Sequence, residues 1–248
     1  MRFLFGSLLG IGFALLLASC QPERVPLPPT PSVQPWRLQA TPALRWLGQV
    51  FQNCAAEQPG ASLLLDERTA DHLDPQKADL VFQYGGGANS PPFAAVLGQD
   101  ELSVITRPGA PLSAAQFDDL RAIYNGRITT WGAFNPSSCA QCALSADEPL
   151  KVYIYAEGDD ARPAPAQWGV PGPNSLLAPD PQAVRQAVAS DRNAVGFIPA
   201  RWLDASVSSI KIRGGAPGGL SLPILAFGQA EPQGSLRSWL LCVQAALK

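Results

Sequence analysis

The stretch SAAQFDDLRAIYNGRITTW, from Ser113 to Trp131, carries the most regular helical pattern in the chain. Ser113 followed three residues later by Gln116 has the form of a capping box, which predicts a helix that begins here. Gly126 supplies the left-handed residue that ends such a helix. The apolar residues between these two signals recur at helical spacing, as expected for a helix that buries one face: Phe117, Leu120, Ile123 and Tyr124.

The second half of this stretch resembles a segment of the phosphate-type periplasmic solute-binding proteins, whose pattern is L-x-x-I-F/Y-x-G-x-I-x-x-W. The matching residues are Leu120, Ile123, Tyr124, Gly126, Ile128 and Trp131. Downstream, NAVGFIP at 193–199 is similar to the family strand A-I-G-Y-V. The resemblance extends over residues 35–248. It implies an α/β, two-lobed periplasmic-binding-protein-like fold (type II), with each lobe a mixed sheet flanked by helices.

Composition limits the classes of function. The chain has 248 residues, of which 46% are hydrophobic, so it is long enough to bury a substantial core. The formal net charge is −2 and no basic stripe is present, which argues against nucleic acid as a partner. His72 is the single histidine, so a His-rich metal site is excluded, and we expect no cofactor. No nucleophile, metal or phosphate-loop motif indicates an enzyme.

The N-terminus has the pattern of an export signal at residues 1–19. Arg2 precedes an apolar run from Phe3 to Leu17, shorter than the roughly 20 residues that span a bilayer. Small residues then lead to Cys20, as in a bacterial lipobox, and this resemblance implies cleavage before Cys20 and its lipidation. A membrane helix or an uncleaved signal is the alternative. Residues 20–34 are rich in proline and predict an extended tether, so we expect a lipid-anchored, extracytoplasmic protein.

Beyond the tether, strands and helices alternate, which indicates an α/β layer. The pattern predicts a strand at 36–40, a helix opened by Thr41 and Pro42, and strands at 61–65 and 78–84. By the family resemblance, residues 35–105 and 213–248 form the first lobe and residues 106–212 form the second. The resemblance also implies a monomer.

Four cysteines remain after Cys20, and an even number in an exported protein predicts two disulfides. Three pairings are open from the sequence. The family fold places the first and last helices in one lobe, which implies Cys54–Cys242 and therefore Cys139–Cys142. A Cys-x-x-Cys pair is also compatible with a redox site or half of a zinc site.

The candidate ligand-binding residues fall in three segments. Thr41 offers a hydroxyl at a helix start, and the loop of Tyr84, Gly85 and Gly86 allows close backbone approach to a ligand, although a glycine run is equally a plain turn. The third segment is Glu157 to Arg162. Family members carry a Ser-Gly-Thr turn there, often followed by arginine, whereas this chain has Asp159, Asp160 and Ala161 before Arg162.

These residues also have plainer interpretations, since Arg162 is compatible with a solvated surface charge and the two aspartates with helix caps. Two carboxylates repel a phosphate dianion at short range. The resemblance implies a solute-binding protein of an uptake system that passes a small polar or anionic ligand to a membrane permease. The missing hydroxyl turn instead favours a sensor or surface interaction module that has lost transport.

Overall fold

The computed structural model describes residues 35–85, 91–134, 139, 142, 147–163, 165–214 and 220–248. The predicted signal, Cys20 and the tether lie outside the described residues, as does Gly86. Residues 33–248 form one compact unit. Within the described part of the chain, no helix is long and apolar enough to cross a membrane.

Most of the strands join in one mixed sheet that carries the predicted elements. Its order is β2-β1-β3-β11-β4-β8-β6-β7, with β9 paired to β4, while β5 and β10 form a separate pair. The strands are β1 (Trp36–Ala40), β2 (Leu63–Glu67), β3 (Leu80–Tyr84), β4 (Phe93–Thr106), β5 (Ala114–Gln116), β6 (Lys151–Ile154), β7 (Leu176–Leu177), β8 (Ala194–Pro199), β9 (Ser208–Ser209), β10 (Lys211–Arg213) and β11 (Ser221–Gly228).

The long strand β4 connects the two halves of this sheet. Its first part, up to Glu101, pairs with β11, and from Leu102 onward it pairs with β8. The half that contains β1, β2 and β3 is parallel, and β11 joins it in the antiparallel direction. β4 is therefore shared by both halves of the mixed sheet. The exact boundaries of the two lobes stay a prediction.

Among the described residues, five helices pack on the sheet. They form where apolar residues in the sequence recur about every 3.6 residues, as in a helix, and not at every second residue, as in a strand. They are α1 (Gly48–Ala56), α2 (Phe117–Tyr124), α3 (Pro165–Trp168), α4 (Pro181–Ser190) and α5 (Gly234–Ala246). A 3₁₀ helix, Pro42–Leu47, runs directly into α1. The structure contains both predicted disulfides: Cys54–Cys242 joins α1 to α5, and Cys139–Cys142 closes a short loop.

The predicted capping box at Ser113 is wrong. Residues 114–116 form β5, which pairs in parallel with β10, and α2 begins only at Phe117. The pairing satisfies backbone groups that a helix turn would have used, and it buries Ala115. The helix end is as predicted, because Gly126 has a φ of 73° and its N–H donates to the Ile123 carbonyl. Ile212, on β10, lies in this two-stranded sheet opposite Ala115.

Gly196, in the segment that resembles the family strand, allows α4 to lie directly on β8. A Cβ atom at this position would lie 2.5 Å from Val184 Cγ1 and 2.9 Å from Val188 Cγ2. Both valines are fully buried on the inner face of α4. The glycine is therefore required by helix-to-strand packing, and it fixes the position of the residues that precede α4.

The buried side chains form two hydrophobic clusters. One surrounds α2 and contains Trp131, Trp168 and Phe197. The rings of Tyr124, Trp168 and Phe197 contact each other edge to face. The other is built on Phe51, Phe82 and Trp239, and it continues to Tyr155 and to α4. Because the second cluster takes residues from both predicted lobes, the lobes share a buried contact beside the candidate site.

Candidate functional site

Three of the predicted ligand-binding residues meet at one oxygen atom. The Thr41 hydroxyl donates to Asp160 Oδ2 at 2.7 Å, and the backbone N–H of Tyr84 donates to the same oxygen at 2.7 Å. Thr41 and Tyr84 belong to the predicted first lobe and Asp160 to the second, and Thr41 and Asp160 are 119 positions apart in the sequence. A carboxylate of the chain itself thus occupies the two donors that the sequence assigned to a ligand.

Local structure fixes the two donors. Thr41 follows β1, is fully buried, and its N–H donates to the Phe82 carbonyl, so its backbone is held between β1 and β3. Pro42 begins the 3₁₀ helix and has no N–H of its own to compete for an acceptor. A threonine before proline is expected to cap the helix, but the Thr41 hydroxyl does not cap this one. It donates to Asp160 instead.

The turn from Glu157 to Arg162 presents the acceptor. Asp159 Oδ1 accepts from the Ala161 N–H at 2.9 Å and closes the turn, and no helix follows until Pro165. The two aspartates therefore have separate roles, because Asp159 stabilises the turn while Asp160 bonds across to Thr41. Burial raises the pKa of Asp160 to about 7, although its hydrogen bonds from Thr41 and Tyr84 oppose that shift.

A third buried group, the Tyr155 phenol, lies within electrostatic range of these carboxylates. Tyr155 directly follows β6, is 0% exposed, and its hydroxyl has no hydrogen-bond partner among the described residues. Burial raises its pKa well above the usual range, and the negative charges of Asp159, Asp180 and Asp160 add to the effect. Asp160 Oδ1 is also buried without a partner in the described part of the chain. The region thus combines two donors already bonded to Asp160 with two buried oxygen atoms that have no partner among the described residues.

The Tyr84 side chain is directed away from the ligand position predicted for it. Its hydroxyl donates to Asp100 Oδ2 at 2.7 Å and accepts from Trp46 Nε1 at 3.2 Å. Burial, followed by the charge of Asp100, raises the pKa of this phenol. Tyr84 therefore contributes its backbone N–H alone, and Gly85, with a φ of 67°, turns the chain immediately after it.

Arg162 is half-buried, and no contact of the described residues joins its guanidinium to Thr41 or Asp160. It lies close enough to Tyr124 and Asp159 for its charge to favour ionisation of both groups. Burial is the largest cause and raises the pKa of Tyr124, while the interaction of its hydroxyl with Arg162 opposes that shift. We therefore regard Arg162 as an electrostatic neighbour of the site.

Further contacts cross between the two predicted lobes beside Asp160. Arg45 pairs with Glu67 on its own side and with Asp180 on the other, where its Nη1 lies 3.2 Å from Asp180 Oδ2. Trp202 Nε1 donates to the Ala43 carbonyl at 2.7 Å in a buried position. These contacts lie around the bond between Thr41 and Asp160, so the two sides are joined by the chain's own groups.

Sequence reasoning did not single out Tyr155, Asp180, Arg45 or Asp100. Asp180 caps α4, since its Oδ1 accepts from the Ala183 N–H at 2.8 Å. In a single sequence, a functional tyrosine at the end of a strand has the same pattern as a tyrosine of the hydrophobic core. Among the described residues, no group of three acidic, histidine or cysteine side chains is arranged to hold a metal ion.

No protein-family model matches the chain, and no curated protein is similar to it in sequence. Solved structures are similar in fold. A protein from Clostridium perfringens, described as a phosphate ABC transporter substrate-binding protein and solved with bound phosphate, is 18% identical with a TM-score of 0.69, over 85% of this chain and 93% of that one.

Two further structures have the same architecture. An ABC-type phosphate transport receptor from Vibrio cholerae is 15% identical with a TM-score of 0.60, over 85% of this chain and 94% of that one. The regulatory domain of CcmR from Synechocystis PCC6803, in complex with 2-PG, is 14% identical with a TM-score of 0.62, over 86% of this chain and 97% of that one. This chain has the two-lobed type II periplasmic-binding-protein fold. At these identities the similarity shows the fold alone.

Proposed function

We propose that this protein is an extracytoplasmic, lipid-anchored solute-binding protein that takes a small polar ligand between its two lobes and passes it to a membrane permease. The observation that carries the proposal is the meeting of Thr41, the Tyr84 N–H and Asp160 at one buried place. Structures of this fold include a phosphate-bound substrate-binding protein, which supports a ligand-binding role for the fold. The anchor at Cys20 and the permease rest on the sequence pattern.

Orthophosphate is not the ligand in this proposal. Both donors already bond to Asp160 Oδ2, and an incoming phosphate would have to displace that carboxylate and lie next to Asp159. Two like charges at about 4 Å repel by roughly 4 kcal/mol at an effective dielectric constant of 20. A small solute with amino or hydroxyl groups instead finds free acceptors.

The test uses full-length protein purified from membranes in mild detergent. Native mass spectrometry should detect a bound small molecule, and calorimetry with orthophosphate at pH 8 should give no saturable heat. Asp160→Ala should free Thr41 and the Tyr84 N–H and allow phosphate to bind, while the matched control Asp118→Ala, at an exposed site, should not. Micromolar phosphate binding by the unchanged protein would contradict this assignment.

A second candidate is a sensor or surface interaction module that does not transport. The observation in its favour is that the chain's own groups join the two sides, through Asp160 and through the bond from Trp202 to Ala43. The regulatory domain from Synechocystis has the same fold. Small-angle scattering distinguishes the two functions: a transport protein should change its radius when solute is added or removed, whereas a permanently joined module should not.

A further inference from the structure

Part of the contact between the two predicted lobes is made by tryptophan side chains. The 3₁₀ helix that precedes α1 lies against a second short 3₁₀ helix, Ala200–Trp202. Trp202 Nε1 donates to the Ala43 carbonyl at 2.7 Å, and the Arg201 guanidinium lies 4.6 Å from the centre of the Trp46 ring. This part of the contact is built from large side chains that pack as they would inside one lobe.

Another part of the contact depends on a single carboxylate oxygen. Asp160 Oδ2 accepts from the Thr41 hydroxyl and from the Tyr84 N–H, both at 2.7 Å. Thr41 is 0% exposed and Tyr84 is 2% exposed, so water cannot replace the carboxylate while the lobes stay in contact. Because both bonds end on one oxygen, a movement that withdraws Asp160 breaks them together.

The charged groups beside this carboxylate keep partners when the lobes separate. Arg45 makes two bonds to Glu67 within the first lobe, one of them at 2.8 Å, and a single bond of 3.2 Å to Asp180 in the second. Asp180 Oδ1 accepts from the Ala183 N–H of its own helix. Separation therefore leaves each of these charges with a partner in its own lobe, whereas withdrawal of Asp160 leaves two donors of the first lobe without their acceptor.

We propose that Asp160 is an autoinhibitory latch: its carboxylate occupies the donors of the first lobe in place of a solute and holds the two lobes together. This inference rests on the proposed function and adds the regulation of the same site. A solute hydroxyl group can accept from Thr41 and the Tyr84 N–H and donate to the released carboxylate, so it can replace the latch bond for bond. The apparent dissociation constant of the solute then rises as the fraction of unlatched molecules falls.

Hydrogen exchange resolved to single backbone amides tests the latch in the full-length protein, purified in mild detergent. Thr41→Val removes one of the two bonds to Asp160 and leaves the acceptor of the Tyr84 N–H in place. If the two bonds hold the lobes together as a unit, the Tyr84 amide should exchange about fivefold faster in this variant. The Gly85 amide, which donates to the Pro223 carbonyl within the first lobe at 2.8 Å, should exchange at its original rate.

Two further variants frame this result. Thr69→Val is the matched control, because it removes a hydroxyl that donates to the exposed Asp71, and it should leave the exchange of the Tyr84 amide unchanged. Asp160→Ala removes both latch bonds and should accelerate exchange of the Tyr84 amide at least tenfold.

An unchanged Tyr84 amide in Thr41→Val would overturn the latch. Equal acceleration of the Gly85 amide would overturn it too, since the whole first lobe would then be loosened. Native mass spectrometry of the same preparation separates this failure from failure of the proposed function. A protein that carries a co-purified solute and shows no faster exchange keeps the solute-binding role and loses the latch. A protein that shows faster exchange but carries and binds no solute loses the proposed function, and with it the competitive role of Asp160.

Discussion

Tyr84 lies between two buried carboxylates that are bonded in different ways. Its hydroxyl donates to Asp100, and its backbone N–H donates to Asp160. Both oxygens of Asp100 are used, because Oδ2 takes the Tyr84 hydroxyl and Oδ1 takes the Glu101 N–H at 2.8 Å. Among the described residues, Asp160 receives two bonds on one oxygen and none on the other.

The difference separates a structural carboxylate from a candidate binding group. Asp100 lies on β4 and bonds to neighbours in its own half of the sheet, so it holds Tyr84 and Trp46 together inside one lobe. Asp160 lies on a turn and bonds across 119 residues of sequence to the other lobe. A fully bonded group has nothing left to offer a ligand, whereas a half-bonded group in the same surroundings does.

Loss of the Asp100 carboxylate has the largest expected effect on stability. Asp100→Ala leaves the buried Tyr84 hydroxyl and the Glu101 N–H without their acceptor, which should lower the free energy of unfolding by about 3 kcal/mol. Urea unfolding of the full-length protein measures this. Asp100→Asn keeps one acceptor and should lose less. If alanine and asparagine were equally harmless, Asp100 would not be the structural member of the pair.

Removal of the Asp160 charge should raise the free energy of unfolding, whereas loss of the Asp100 carboxylate should lower it. Burial raises the pKa of Asp160 from 3.8 to about 7, so the folded chain holds a proton that the unfolded chain releases. The resulting stability is fully present below about pH 4 and is lost as the pH rises through 7. Asp160→Asn keeps an acceptor without the charge, and relative to the unchanged protein it should gain about 2 kcal/mol between pH 5 and pH 8.

Urea unfolding at the two pH values checks this gain, with Asp118→Asn as the exposed control. Four other aspartates have lowered pKa values, so their contribution to folding stability increases as the pH rises: Asp71, Asp74, Asp191 and Asp204. Their contribution is the same in the variant and in the unchanged protein, so the difference in free energy of unfolding between the two proteins reports on Asp160 alone. The same difference at both pH values would mean that Asp160 stays ionised in the folded protein.

The fold was predictable because its signals are local. The alternating pattern located β1, the family resemblance located β8, and Gly126 ended α2. The exception is the segment 114–116, where serine and glutamine at capping positions predicted a helix. Pairing with β10, almost a hundred residues away in the chain, prevailed over that local preference.

The sequence selected three residues that lie together in the structure, and it did not predict how they bond to one another; their role in ligand binding stays a prediction. Thr41, Tyr84 and Asp160 were selected by their places at the ends of strands and in a turn, and they do meet. The sequence could not show that Asp160 itself takes the donors of the other lobe, because that depends on how two distant segments approach. The roles of Tyr155 and of the Tyr84 side chain depend on the same approach.

The bond between Thr41 and Asp160 has the smallest expected effect, and a matched pair in the same chain isolates the influence of burial. The Thr41 hydroxyl donates to a buried carboxylate at 2.7 Å, and the Thr69 hydroxyl donates to the exposed Asp71 carboxylate at 2.6 Å. Thr41→Val should lower the free energy of unfolding by about 1 kcal/mol at pH 8, because a buried charge loses one of two donors.

At pH 5, where Asp160 is protonated, the loss in Thr41→Val should shrink, since a hydrogen bond to a neutral acceptor contributes less than one to a charge. Thr69→Val should change stability little at either pH, because water replaces an exposed hydroxyl. Urea unfolding measures the change in the free energy of unfolding for each variant at pH 5 and at pH 8. Equal losses for Thr41 and Thr69 would show that the carboxylate of Asp160 is as well solvated as that of Asp71, and a solvated Asp160 would no longer differ from an ordinary surface group.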